Sequence, residues 1–319
     1  MSTSGGKKAV VAALGANLAI AVSKFVAWAV SGSSSMLAEG VHSLADSGNQ
    51  ILLLIGGRRS KREATEEHPF GYGRERYVFG FLVSIVLFTA GGLFAVYEGV
   101  DKIEHPHTLD DWYWPVGVLL FAIVAEGSSF RTAVGESRHS KGRQSWFGFI
   151  HTTKAPELPV VLFEDFGALI GLGFATLGVV LSVVTHDGVW DGVGTLMIGL
   201  LLVTIALVLA VETKSLLLGE GATPAVVDRI GAALVDGVLV TGVIHMRTMH
   251  LGPEELLVAA KIAVRPEVTA AEIASAINAA EARVREAEPM ARVIYLEPDI
   301  YSNAEAAAGP DPLATPGGR

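Results

Sequence analysis

The chain has 319 residues, half of them hydrophobic, with a mean hydropathy of +0.45 and a formal net charge of −9. A composition this apolar marks a polytopic membrane protein, and the acidic balance excludes a nucleic-acid binder, which needs a dense basic face. Cysteine is absent, so disulfides, thiolate metal sites and cysteine nucleophiles are excluded, and metal chemistry is left to His, Asp and Glu.

The first segment, "MSTSGGKK", leads into an apolar run with no small-residue cleavage site after it. The run therefore reads as a retained helix and not a signal peptide. About 20 apolar residues cross a bilayer. Windows of that kind cover Ala9–Val30, Met36–Gly56, Tyr77–Gly99, Trp114–Val134, Leu158–Val184 and Val189–Val211, which predicts six transmembrane helices within residues 9–215. Lys7, Lys8, Arg58, Arg59, Lys61, Arg62, Arg138, Lys141, Arg143, Lys154 and Lys214 all fall on one set of alternating connectors. The other connectors, "SGSSS", "DKIEHPHTLDD" and "THDG", carry a single lysine, Lys102. The positive-inside rule then places both termini, including residues 1–8, in the cytoplasm, and the plasma membrane of a bacterium is the expected host.

Beyond Gly221 the hydropathy falls. Thr223 and Pro224 suit the N-cap and first position of a helix. "VIHMRTMHL" and "LLVAAKIAV" are short and rich in branched residues, as strands are. Thr269 with Glu272 forms a capping box before the stripe Ile273, Ile277, Ala280, Val284. "ARVIYLE" supplies a last strand. Residues 220–301 thus read as a cytoplasmic α+β domain in α-β-β-α-β order, ferredoxin-like, and residues 302–319 as a disordered tail by composition.

Charged residues inside the spans carry the chemistry, because at bilayer depth they cost several kcal/mol and mark ion or proton paths. His42 and Asp46 stand one helical turn apart and share a face, about 15 Å into their span. Glu164 and Asp165 reach a similar depth in the fifth span, and Glu126 in the fourth lies nearer the cytoplasm. One imidazole with several carboxylates suits a divalent ion such as Zn²⁺. Glu164 and Asp165 are about 100° apart around their helix, so both cannot point straight at one ion. Glu126 reads equally as a proton carrier or as the partner of Arg131. Glu39 is expected at the solvated outer rim, and Lys24 is expected to snorkel or to pair with a carboxylate.

Together, "SGSSSMLAEGVHSLADSGNQ", "HPFGYGRER", "LLLGEGA" and "HMRTMHLGPEELLV" resemble the cation diffusion facilitator family of proton-coupled divalent metal exporters. The resemblance runs from about residue 9 to 301, and implies six spans, a cytosolic α-β-β-α-β domain and a homodimer formed through that domain and the third span. It also implies a site with a His or Asp, and an Asp four later, from each of spans 2 and 5. Here His42 and Asp46 fit, whereas Val161 stands before Asp165. The family's "GHG" motif is "GYG", with Tyr72. In the tail, His245 and Glu297 match cytosolic ligand positions, but Ala260 and Tyr295 replace two histidines. These departures, with "VVLFED" and the span-4 "EG", resemble the branch that holds the mitochondrial zinc transporter nine. They imply Glu164 or Glu126 as the remaining ligand, or a water in its place. The expected function is Zn²⁺/H⁺ antiport, with no catalysis, no resident cofactor and membrane lipid as the surroundings. Export of Fe²⁺, Co²⁺, Ni²⁺ or Mn²⁺ is the near alternative, since affinity order alone does not select the ion. An intramembrane metal-dependent hydrolase is the alternative from another class, and it lacks the H-E-x-x-H spacing. A metal sensor that has lost transport is less attractive, given the sparse tail-domain ligands.

Overall fold

The computed structural model describes residues 3–106, 113–141 and 144–300. The expected tail at 302–319 lies outside them. Contacts divide the chain into two units, Met1–Arg59 with Arg76–Lys214, and Ser60–Glu75 with Ser215–Arg319.

The first unit is helical: α1 (Thr3–Ser31), α2 (Ser34–Arg59), α3 (Glu75–Val86), a π-helical segment (Leu87–Leu93), α4 (Phe94–Glu104), α5 (Tyr113–Lys141), α6 (Trp146–Thr152), α7 (Glu157–Thr185) and α8 (Val189–Leu218). Each expected window falls on a helix of this unit, the third on α3, the π segment and α4 taken together. Among the described residues, four stretches are long and apolar enough to cross a membrane: Glu75–Glu104 taken through the π segment, Tyr113–Gly135, Glu157–Thr185 and Val189–Leu218. α1 adds the shorter apolar stretch Asn17–Ser31. α2 has the length, but its hydropathy is lowered by buried Glu39, His42, Asp46 and Asn49 and by Arg58 and Arg59 at its end.

Helix packing relies on small residues, since lipid offers no hydrophobic drive between helices. Gly178 of α7 and Gly194 of α8 meet closely enough that a Cβ on Gly194 would lie 2.8 Å from Phe174 O. A Cβ on Gly199 would lie 2.5 Å from Val96 N, which brings α8 onto α4. α1 packs on α2 and α5, and α7 on α5 and α2. The core between them holds Met36, Leu87, Leu119, Leu172, Ile198 and Leu202. α2 begins under a side-chain cap from another helix: Asp191 of α8 accepts from Ser34 N at 2.8 Å, Ser33 Oγ at 3.0 Å and Ser34 Oγ at 3.1 Å. That satisfies donors a helix start leaves open.

In the second unit, α9 (Pro224–Leu234), β1 (Val240–Gly252), β2 (Glu255–Val264), α10 (Ala270–Ala287) and β3 (Ala291–Asp299) follow the expected order. β2 is central, antiparallel to β1 and parallel to β3. Thr269 and Glu272 make the reciprocal capping box of α10. Ile230, Leu234, Leu256, Val258, Ile262, Ala280 and Val284 form a core separate from that of the helical unit. The connector 60–75 packs with this unit. A Cβ on Gly73 would lie 2.7 Å from Leu251 O, so only glycine permits that approach of backbone to backbone.

Candidate metal-ion site

α2 carries Glu39, His42, Asp46 and Asn49 at successive turns of one face, and all four are buried. Other helices of the unit supply the rest. Glu126 of α5 is buried, as are Glu164 and Asp165 of α7. His42 Nε2 lies 3.5 Å from Asp46 Oδ2. Asn49 Nδ2 donates to Glu164 Oε1 at 2.7 Å, and Ser129 Oγ of α5 donates to Asp165 Oδ2 at 3.1 Å. The carboxylate doublet of α7 therefore faces two neighbours, Glu164 toward α2 and Asp165 toward α5, as a separation of about 100° per residue requires.

Both ring nitrogens of His42, Oδ1 of Asp46 and Oδ1 of Asn49 are buried without a hydrogen-bond partner among the described residues. Leaving buried polar atoms unsatisfied costs about 1–3 kcal/mol each, which a fold tolerates where those atoms have a use. Among the described residues no three His, Asp or Glu side chains stand close enough to hold one ion in this arrangement of the helices. What the fold brings together is two buried polar pairs, His42–Asp46 on α2 and the Glu164–Asp165 doublet on α7, with Glu126 in electrostatic reach of Asp46, His42 and Asp165.

Three expectations need correction or choice. Glu39 is not at a solvated rim: it is fully buried, and its Oε2 accepts from Lys24 Nζ of α1 at 2.8 Å. A carboxylate this deep is held by a cation on the facing helix, which depth along a single span does not reveal. Lys24 accordingly pairs rather than snorkels. Arg131 is exposed while Glu126 is buried, so Glu126 does not rest on Arg131. Sequence reasoning also passed over Asn49, Ser43 and Ser129. For Asn49 the signal was available, since it continues the three- and four-residue spacing of Glu39, His42 and Asp46.

In the second unit, strand register places His245, Lys261 and Glu297 in one row across the sheet. Lys261 Nζ reaches Asp299 Oδ2 at 2.5 Å and Glu297 Oε1 at 3.9 Å. Lys261 thus stands in register between His245 and Glu297, with its ammonium on Asp299.

Comparison with known proteins identifies the helical unit. The family model for the cation efflux transmembrane domain matches residues 10–218. The chain is 30% identical to the human mitochondrial proton-coupled zinc antiporter SLC30A9 over 72% of its own length and 41% of that protein. It is 26% identical to metal tolerance protein C4 of Arabidopsis thaliana over 77% of the chain and 54% of that protein. It is 27% identical to magnetosome protein MamM of Magnetospirillum gryphiswaldense over 79% of the chain and 76% of that protein. It spans about two fifths of the zinc antiporters it matches. With the buried His and Asp of α2 facing the carboxylate doublet of α7 inside that matched domain, the chain is an integral membrane protein of the cation efflux, or cation diffusion facilitator, family.

Proposed function

We propose that the protein exports a divalent metal cation, Zn²⁺ first among candidates, in exchange for protons, by alternating access to a site near the membrane midplane. His42, Asp46 and Asp165 are the ligands. Glu164 is favoured over Glu126, or a water, as the fourth, because it shares a helix and a depth with Asp165 and is held toward α2 by Asn49. The observation that carries the reading is the set of buried, unpartnered donor atoms on His42 and Asp46, in a region matched by the cation efflux domain. The antiporters with which the chain shares 30% identity are named for proton-coupled zinc exchange, and that supports zinc and protons here.

The chemistry follows from competition for the same atoms. A metal ion needs a neutral imidazole and ionised carboxylates, so binding releases protons and protonation expels the ion. Convergence of the α2 and α7 half-sites makes the binding state, and their separation releases the ion to the other side. Six spans, cytoplasmic termini, a bacterial plasma membrane and a homodimer formed through residues 220–301 and the third span complete the proposal. A hydrolase gains no support, since the matched domain is a cation efflux domain and the zinc relatives are named as antiporters.

The test is metal flux in proteoliposomes across Zn²⁺, Mn²⁺, Fe²⁺ and Co²⁺, with and without an inward proton gradient. The gradient should accelerate Zn²⁺ export, and His42→Asp should shift both the pH profile and the metal preference toward harder ions. Flux that ignores both an ionophore and the His42→Asp change would replace antiport with simple facilitated passage.

A further inference from the structure

Lys24 is the one buried lysine or arginine among the described residues. It is fully buried, and its Nζ donates to Glu39 Oε2 at 2.8 Å and to Ser43 Oγ at 2.7 Å. Both acceptors lie on α2, on the face that carries His42 and Asp46. The pair is wedged in place: a Cβ on Gly171 of α7 would lie 2.7 Å from Glu39 Oε1, and that oxygen has no hydrogen-bond partner. The charges of Lys24 and Glu39 both reach His42, Asp46 and Glu126.

A pair that only fastened α1 to α2 would not need to stand beside the ion's ligands. We propose that Lys24 and Glu39 set the affinity of the metal site: the ammonium opposes the divalent ion, the carboxylate favours it, and their balance keeps the ion releasable. The inference rests on the transport reading above. In a low-dielectric interior the field of one uncompensated charge acts strongly over several ångströms. Removing either partner leaves the site facing a net charge of the opposite sign, whereas removing both restores neutrality. Lys24 and Glu39 are thus positioning residues that act through the field, with no need to touch the ion.

The test is Zn²⁺ affinity by calorimetry on the full chain in detergent, with Asp46→Ala as the site control and thermal stability followed in parallel. Glu39→Gln should weaken binding by about tenfold or more, and Lys24→Met should tighten it by about threefold or more. The Lys24→Met/Glu39→Gln double variant should return to within about threefold of the unaltered protein. Lys24→Gln, which keeps a donor for Ser43, serves if the methionine variant folds poorly. Affinity changes of the same sign in both single variants, or a double variant as impaired as the worse single one, would overturn the inference and leave a structural brace. Failure of the unaltered protein to bind Zn²⁺, Mn²⁺, Fe²⁺ or Co²⁺ would instead sink the transport reading, and this inference with it.

Discussion

Asn49→Leu should be the most informative change outside the ligands themselves. It keeps the branched heavy-atom shape, with somewhat bulkier methyl groups, and deletes the 2.7 Å bond from Asn49 Nδ2 to Glu164 Oε1. That donor orients the carboxylate toward α2. A hydrogen bond to a charged group is worth about 1.5–3 kcal/mol, and about 1.4 kcal/mol is a factor of ten. Metal affinity should therefore fall roughly 10- to 150-fold if Glu164 is a ligand, in line with the 10- to 100-fold typical of groups that hold a ligand in place. Ser129→Ala is the matched comparison. Its bond to Asp165 is longer, 3.1 Å, and Asp165 keeps its other surroundings, so the loss should sit at or below the low end of the same range. Calorimetry with Zn²⁺ in detergent, followed by flux in proteoliposomes, measures both. An Asn49→Leu protein that binds Zn²⁺ within about twofold of the unaltered chain refutes the ligand role of Glu164, since a buried ligand cannot lose the donor that holds it without consequence.

Asp46→Ala and Asp165→Ala should each reduce Zn²⁺ flux to the empty-liposome background while the protein stays folded, and full transport by either would dismiss the site. Glu164→Gln should cost more affinity than Glu126→Gln; a large loss confined to the Glu126 variant reverses the ranking. Residues 220–301, which carry their own core, should remain dimeric in a chelator by light scattering, because Lys261 stands between His245 and Glu297 where a metal would otherwise bridge them; dissociation on adding chelator would reveal a cytosolic metal site. Asp236 gives a pH signature. Burial alone would raise its pKa, but backbone N–H donors from Val238, Val240 and Leu239, and the charge of Arg283, outweigh burial and hold it below the ordinary value. A depressed folded pKa contributes stability above the unfolded carboxylate value, about 4, which is lost as pH falls through the folded one. Asp236→Ala should therefore lower the melting temperature of the tail domain near neutral pH, with the difference closing toward pH 3; a gap that stays constant across that range would assign the effect to packing.

Much of this arrangement was written in local spacing. The stripe of His42 and Asp46 follows from helical periodicity and from the cost of charge in lipid, and the α-β-β-α-β order follows from one capping box and three branched runs. Other features depended on partners remote in sequence. Glu39 was misplaced because depth was counted along α2 alone, while its environment is set by Lys24 of α1, fifteen positions away. α6 and the π segment at Leu87–Leu93 left no signal, since a seven-residue helix is too short to show a period and a π turn adds one residue to a run that stays apolar. The row His245–Lys261–Glu297 needed the register of a parallel pair, β2 with β3, which no turn connects and no local rule sets.

The doublet Glu164–Asp165 shows where spacing ends and packing begins. Adjacent residues on a helix diverge by about 100°, so the sequence already forbade both carboxylates from aiming at one point. It could not say which neighbour each would meet. The structure gives Glu164 to Asn49 of α2 and Asp165 to Ser129 of α5, so α7 is tied by consecutive side chains to two different helices. An ion that takes both carboxylates must then loosen at least one of these bonds or draw α2 and α5 together around α7. On the transport reading proposed above, helix movement and ion capture then become the same event, which is what alternating access demands of a site whose ligands are divided between helices.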